Sequence, residues 1–378
     1  MAKLFEYRIH MDTEEPVPLC WKVFSVSFTI FMLLVMTLIF TACVREQLDD
    51  ISYTDEVMLT LHLSLPGPQE ETRTISSSTE NKLDATQMKV LAFKVSSTTE
   101  TFAYEAPQVV LKSGNTYTVT LRKSMAGESY RLVIIANAGS KLPFIAEGTS
   151  KSEALKKITF ASSGVWKTNN DSDCTPIPMW GEAGSTQVIN EATSLGTITL
   201  LRALARIDVG CVVSGETAAG LGNFKLKSVS VYRTKNKGYV APVNATVSKN
   251  VVSTVSIPAD AGTNSALTYS CTDDKSLIRS IYVAEAPQGT SKNDNVCVVV
   301  GGTYEGSIHY YRVDLTSSGT YIPLKRNCRY VVNIKAVTNA GYATETEALT
   351  GDKTIVLSAI SATDWNGESL NGSGNIAL

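Results

Sequence analysis

From Ile51 onward the chain carries hydrophobic residues at a period of two and shows no long window with a helical stripe. The clearest case is Val57, Leu59, Leu61, Leu63 and Leu65, separated by Met58, Thr60, His62 and Ser64. Successive side chains of a strand point to opposite faces, so this spacing places all five on one side. Pro66-Gly67-Pro68 then stops the strand, which is expected over Glu56–Leu65. Further strands are expected over Met88–Val95, Tyr117–Arg122, Tyr130–Ala136, Ile198–Val209 and Phe224–Tyr232. Others follow over Ser280–Glu285, Val296–Gly301, Ser307–Leu315, Tyr330–Val337 and Thr354–Ile360. One helix is expected at Ser152–Ile158, with Ser152 as its cap. Many short strands with turn residues between them predict an all-β chain built of β-sandwiches.

A single sandwich commonly needs about 100 residues, so 378 residues call for two. The polar stretch Gly181–Gly196 sets the expected division into residues 56–195 and 196–378. Apolar content of 43% is ample for two cores. With 34 basic and 36 acidic residues the formal charge is −2, which gives nucleic acid no electrostatic handle.

The first fifty residues read as an address. Val23 to Ala42 is twenty residues without a charge, preceded by Lys3, Arg8 and Lys22. Phe40-Thr41-Ala42-Cys43 resembles the lipobox of bacterial lipoproteins, with Phe40 where an aliphatic residue is usual. The expectation is a signal peptide over 1–42, lipid (palmitate) on Cys43 and a lipid-proximal linker over 43–55. Met11 is an alternative start, and a retained membrane anchor with Cys43 incidental is the competing reading.

Little points to catalysis. Only His10, His62 and His309 exist, which disfavours metal sites and histidine-based chemistry. His309, in Ile308-His309-Tyr310-Tyr311, reads as an ordinary strand residue. No GxSxG, HExxH or P-loop occurs; Gly301–Gly306 lacks the following Lys-Ser/Thr, and Gly220-Leu221-Gly222 has Lys225 at the third glycine position. Asp171-Ser172-Asp173 and Asp273-Asp274 read as turns rather than calcium ligands. Arg233-Thr234-Lys235-Asn236-Lys237 reads as a solvated loop. Beyond Cys43 the five cysteines form no CxxC pair, and Cys297 within Val296–Val300 reads as a small buried hydrophobe. No enzyme activity, cofactor or metal is expected.

Several segments in order resemble the fimbrillins, the pilus-subunit family of Bacteroides and Porphyromonas. They are Ile177-Pro178-Met179-Trp180-Gly181, the run Thr199–Val209 (TLLRALARIDV), Ile281-Tyr282-Val283-Ala284-Glu285, Tyr310–Leu315, Arg326-Asn327-Cys328-Arg329-Tyr330 and Trp365. The resemblance spans roughly residues 55 to 365. It implies two transthyretin-like β-sandwich domains, export as an outer-membrane lipoprotein and assembly with other fimbrial subunits by donor-strand exchange. It also implies an Arg-specific maturation protease that cuts after the first strand.

Those implied roles fall on particular residues. The displaced strand would carry Val57, Leu59, Leu61, Leu63 and Leu65, whose full burial is worth on the order of 8–15 kcal/mol. A groove emptied of them can be refilled by another chain's strand. Glu70–Ser77 holds the expected cut, between Arg73 and Thr74; Arg45 competes, but cutting there trims the lipid without freeing the strand. Ile355, Leu357 and Ala359 form one face of a candidate donor strand, which equally suits the last permanent strand of the second domain. A monomeric glycan-binding surface lipoprotein, and a tip or anchor component of the fimbrium, remain alternatives to a structural subunit.

Overall fold

The computed structural model describes residues 56–66, 77–170, 172–211, 221–351 and 356–364. Its first strands are β1 (Glu56–Ser64), β2 (Lys89–Ser96), β3 (Thr99–Glu105), β4 (Gln108–Ser113), β5 (Thr116–Arg122) and β6 (Ser129–Ala136). After these come β7 (Met179–Glu182), β8 (Thr197–Thr199) and β9 (Leu201–Arg202). They form a four-stranded sheet in the order β8-β1-β5-β4 and a five-stranded sheet in the order β9-β7-β6-β2-β3. Inward residues of both sheets, among them Leu61, Tyr117, Leu121, Phe93, Leu132 and Ile134, join one buried apolar cluster. Two sheets closed over one core make a sandwich.

The remaining large strands are β10 (Leu204–Gly210), β11 (Lys225–Tyr232), β12 (Leu267–Ser270) and β13 (Ser276–Ala284). They are followed by β14 (Cys297–Tyr304), β15 (Ser307–Asp314), β16 (Cys328–Val337) and β17 (Val356–Asp364). These pair as β13-β10-β16-β17 and β12-β11-β14-β15 around a second cluster that includes Ile207, Val229, Val298 and Val332. The all-β expectation holds. The first cluster also takes in Val240, Ala241, Tyr282 and Ala284, so its core draws on residues far along the chain.

The stretch expected as one strand over Ile198–Val209 is three strands. β8 lies beside β1, β9 beside β7, and β10 between β13 and β16. The chain thus leaves the first pair of sheets and enters the second around Ala203. The Gly181 backbone passes so close to this crossing that an added Cβ would lie 2.7 Å from both Leu200 Cδ2 and Thr199 O. The helix is Lys151–Lys156, and its cap is Ser150 rather than Ser152, with the Ser150 hydroxyl accepting from Glu153 N at 3.3 Å. β3 and β4 escaped the periodicity reading because β4 is an edge strand with almost no buried residue and β3 carries Thr and Glu at alternate positions.

Candidate functional site

The alternation of β1 is realised in three dimensions: Val57, Leu59, Leu61 and Leu63 are buried, and Glu56, Met58, Thr60 and His62 are exposed. Leu65, past the strand end, is half-buried against the same core. β1 runs antiparallel to β5 from Glu56–Arg122 to His62–Thr116. On its other side it pairs in parallel with β8 over only three residues, His62–Thr197, Leu63–Ile198 and Ser64–Thr199. Residues 56–61 of β1 are therefore held by one neighbour, and β8 adds to the hold only at His62, Leu63 and Ser64. Removing β1 would uncover the edges of β5 and β8 and the apolar floor between them.

The end of this slot is built from polar contacts. Leu200 N donates to Ser64 O at 2.9 Å, and the Ser64 and Thr199 hydroxyls meet at 2.9 Å. Beyond them lies Arg202, fully buried. Its Nη1 donates to Pro66 O at 2.8 Å, its Nε to Glu80 O at 3.1 Å and its Nη2 to Asn81 Oδ1. One guanidinium thus holds the chain just past the end of β1 and again at the end of the short helix Ser77–Glu80. Burial lowers the Arg202 pKa to about 10, which still leaves it charged at neutral pH.

A second buried arginine continues the network. Arg206 Nη1 donates to Glu80 Oε1 at 2.9 Å, and its Nε and Nη2 reach Asp208 Oδ2 at 3.1 and 2.8 Å. Arg329 Nε donates to the same Asp208 oxygen at 2.7 Å, and Tyr282 OH donates to Glu80 Oε1. Burial alone would lower the Arg206 pKa, but Asp208 and Glu80 overturn this and hold it above its usual value. Burial and then the Glu80 charge raise Tyr282 well above an ordinary phenol. Nearby, Arg326 clasps Glu285 (Nε–Oε2, 2.9 Å) and donates to Val240 O and Tyr239 O.

Three of the segments that carry the resemblance, Thr199–Val209, Ile281–Glu285 and Arg326–Tyr330, meet here. Asn327 Oδ1 accepts from Arg202 N at 3.2 Å, Arg326 pairs with Glu285, and Arg329 with Asp208. Glu80, Arg202 and Arg206 were not singled out as site residues from sequence. The available signal was charge on even-numbered positions, Arg202, Arg206 and Asp208, inside an otherwise apolar run. Charges spaced to face one way in buried strands must find one another. Nothing in the polar surroundings of Glu80 marks it for burial.

Cys43, Arg73, Thr74 and Ile355 lie outside the described residues, as does the signal segment. Leu357 and Ala359 fall in β17, whose register places them opposite Ala336 and Asn333 of β16. β17 is thus the outer strand of its own sheet. His62 Nδ1 lies 3.2 Å from Thr116 Oγ1 on the outer face of β1, and the His309 ring packs edge-on to Tyr304. Asp273 Oδ1 accepts from the amides of Lys275 and Ser276, a turn role. Among the described residues no three His, Cys, Asp or Glu side chains converge to hold a metal. Among the described residues no disulfide joins any two of Cys174, Cys211, Cys271, Cys297 and Cys328.

No protein-family model and no curated protein matches the chain. Solved structures similar to it include a candidate cell adhesion protein from Parabacteroides distasonis, 14% identical, covering 85% of this chain and 99% of that one at a TM-score of 0.46. A candidate cell adhesion protein from Bacteroides eggerthii is 13% identical, covering 82% and 96% at a TM-score of 0.44. A fimbrial assembly protein from Parabacteroides distasonis is 13% identical, covering 83% and 98% at a TM-score of 0.40.

Proposed function

We propose that this chain is a structural subunit of a bacterial surface fimbrium, assembled by strand exchange and supporting adhesion. The observation that carries the reading is the placement of β1. It is a terminal strand whose four buried side chains fill the core and whose backbone pairs fully with one neighbour only. Burial of those four is worth about 6–12 kcal/mol, enough that an emptied slot is strongly driven to refill. In this account lipid on Cys43 carries the exported chain to the outer membrane, and an Arg-specific protease cuts between Arg73 and Thr74. β1 then leaves, and a strand from another subunit takes its place by β-addition. The two pairs of sheets make two sandwich domains, the first accepting, divided near Ala203 rather than at the expected residue 195, because β8 and β9 belong to the first pair. The second would donate from the segment holding Ile355, Leu357 and Ala359, which as an outer strand can leave by breaking one ladder. No step requires a catalytic residue or cofactor.

A disulfide between β1 and β5 tests this reading. Thr60 and Thr118 are directly opposite in the ladder, so the Thr60→Cys/Thr118→Cys variant can tie the strand in place. The oxidised variant should stay monomeric on unboiled gels and regain polymer ladders when reduced. Ladders from the oxidised, cross-linked form would refute strand exchange at this slot.

A second reading is favoured by a cavity of about 540 Å³ bordered by Arg131, Lys151, Trp180, Glu182 and Asn244. An indole beside charged and amide groups is a lining that can take a saccharide. Under this reading the chain is a monomeric glycan-binding lipoprotein. Retardation in polysaccharide gels that is lost in Trp180→Ala would support it over the fimbrial role. A tip or anchor subunit would instead keep β1 in place while still accepting partners elsewhere.

A further inference from the structure

The walls of the 540 Å³ cavity restrict the charge of what can enter it. On β7, Trp180 and Glu182 alternate with the buried Met179 and Gly181; on β6, Arg131 lies between the buried Tyr130 and Leu132. Glu182 is opposite Val133 in the β7–β6 ladder, two residues from Arg131, so all three project from one face of the five-stranded sheet. Lys151, from the helix, and Asn244 complete the border. The charges here cancel. Arg131 Nε lies 3.1 Å from Glu100 Oε1 and 3.4 Å from Glu182 Oε1. Lys151 Nζ pairs with the same two acids, at 3.0 Å from Glu182 Oε1. Hydrogen-bonding capacity is nonetheless left over. Trp180 Nε1 is buried without an acceptor among the described residues, and Asn244 uses its Oδ1 to accept from Ser152 Oγ at 3.3 Å, which leaves its amide nitrogen to donate.

We infer that this cavity binds an uncharged saccharide and discriminates against sugars that carry a carboxylate, a sulfate or an ammonium group. This rests on the glycan reading of the cavity, whether or not the chain polymerises. A hydroxyl both donates and accepts, so it can meet Glu182 and Lys151 without separating them. An acidic sugar would bring a further negative charge beside Glu182 and Glu100, and an amino sugar a further positive charge beside Arg131 and Lys151. Either must break an existing pair and leave a charge uncompensated at a site whose four charged side chains are at most 25% exposed. The Trp180 donor asks for an oxygen acceptor, which sugar hydroxyl and ring oxygens supply.

The test uses the full chain on a panel of immobilised neutral oligosaccharides, each beside its sialylated, sulfated and amino-sugar counterparts. A neutral glycan should bind, with its charged counterparts about tenfold or more weaker. Trp180→Ala should weaken that binding about tenfold or more, and so should Asn244→Gly, which keeps the backbone at its φ of 54°. Glu182→Gln leaves the cations in excess and should shift the neutral-to-acidic affinity ratio about tenfold toward the acidic glycan. Should that variant not fold, salt decides on the parent protein: affinity for the neutral glycan should be equal at about 0.05 and 0.5 M sodium chloride. A charged counterpart bound as tightly as the neutral glycan, an unchanged ratio in folded Glu182→Gln, or neutral-glycan affinity that falls with salt would overturn the selectivity and leave the saccharide site standing. Binding to no glycan of the panel, or binding untouched by both Trp180→Ala and Asn244→Gly, would overturn the saccharide site itself.

Discussion

Arg206 and Glu80 lie 126 residues apart in sequence and 2.9 Å apart in space, with side chains 1% and 2% exposed. Their pairing joins the helix that follows β1 to the strand that opens the second pair of sheets. Three arginines, Arg206, Arg279 and Arg329, gather around Glu80 and Asp208. Removing either acid leaves charge buried without compensation.

Glu80→Ala should therefore destabilise the chain by about 3–5 kcal/mol. Tyr282→Phe, which deletes one donor to Glu80, should cost about 1–3 kcal/mol. Lys156→Ala breaks the exposed pair with Glu153 and should cost no more than about 0.5 kcal/mol. Urea unfolding midpoints of the three variants give this ranking directly.

The two faces of β1 should respond in opposite ways. Leu61→Ala opens a cavity at a residue 1% exposed and should cost about 2–5 kcal/mol. Met58→Lys, on the face where Met58 is 72% exposed, should change stability by less than about 0.5 kcal/mol. Chemical denaturation of both variants checks the alternation.

Glu100 gives a pH dependence with a definite sign. Burial pushes its carboxyl up, but hydrogen bonds from Lys151 and Arg131 outweigh this and leave it below its ordinary value of 4.5. A carboxyl lowered in the folded state contributes stability that is complete above its unfolded pKa and is lost as pH falls through the folded one. The stability gap between the parent and Glu100→Gln should thus be constant near neutrality and narrow as pH drops below about 4.5. Unfolding midpoints measured from pH 7 to pH 3 read it.

Deleting residues 353–378 removes β17 and leaves β16 as the sheet edge. If this segment donates, polymer ladders on unboiled gels should vanish while the thermal transition persists at a lower midpoint. Unchanged ladders would reject the donor assignment.

The period-two pattern made most of the fold legible. The expected strands match β1, β2, β5, β6 and most strands of the second core to within a few residues, though β12 was not expected; β1, the clearest, has one face buried and one in water. The pattern failed where that condition fails. β4 lies at an edge and buries almost nothing, and residues 200–209 are buried without interruption, so no change of face revealed the breaks at Leu200 and Ala203. The slot was readable from β1 alone. Its polar end was not, because Glu80 and Arg202, 122 positions apart, acquire meaning only when the fold brings them together.

The central claim is that β1 is removed and replaced during assembly, and the N-terminus of polymerised protein tests it most directly. N-terminal sequencing of polymers sheared from cells of the native organism should begin at Thr74. A start at Cys43 or Val44, with β1 still attached in the polymer, would contradict the account.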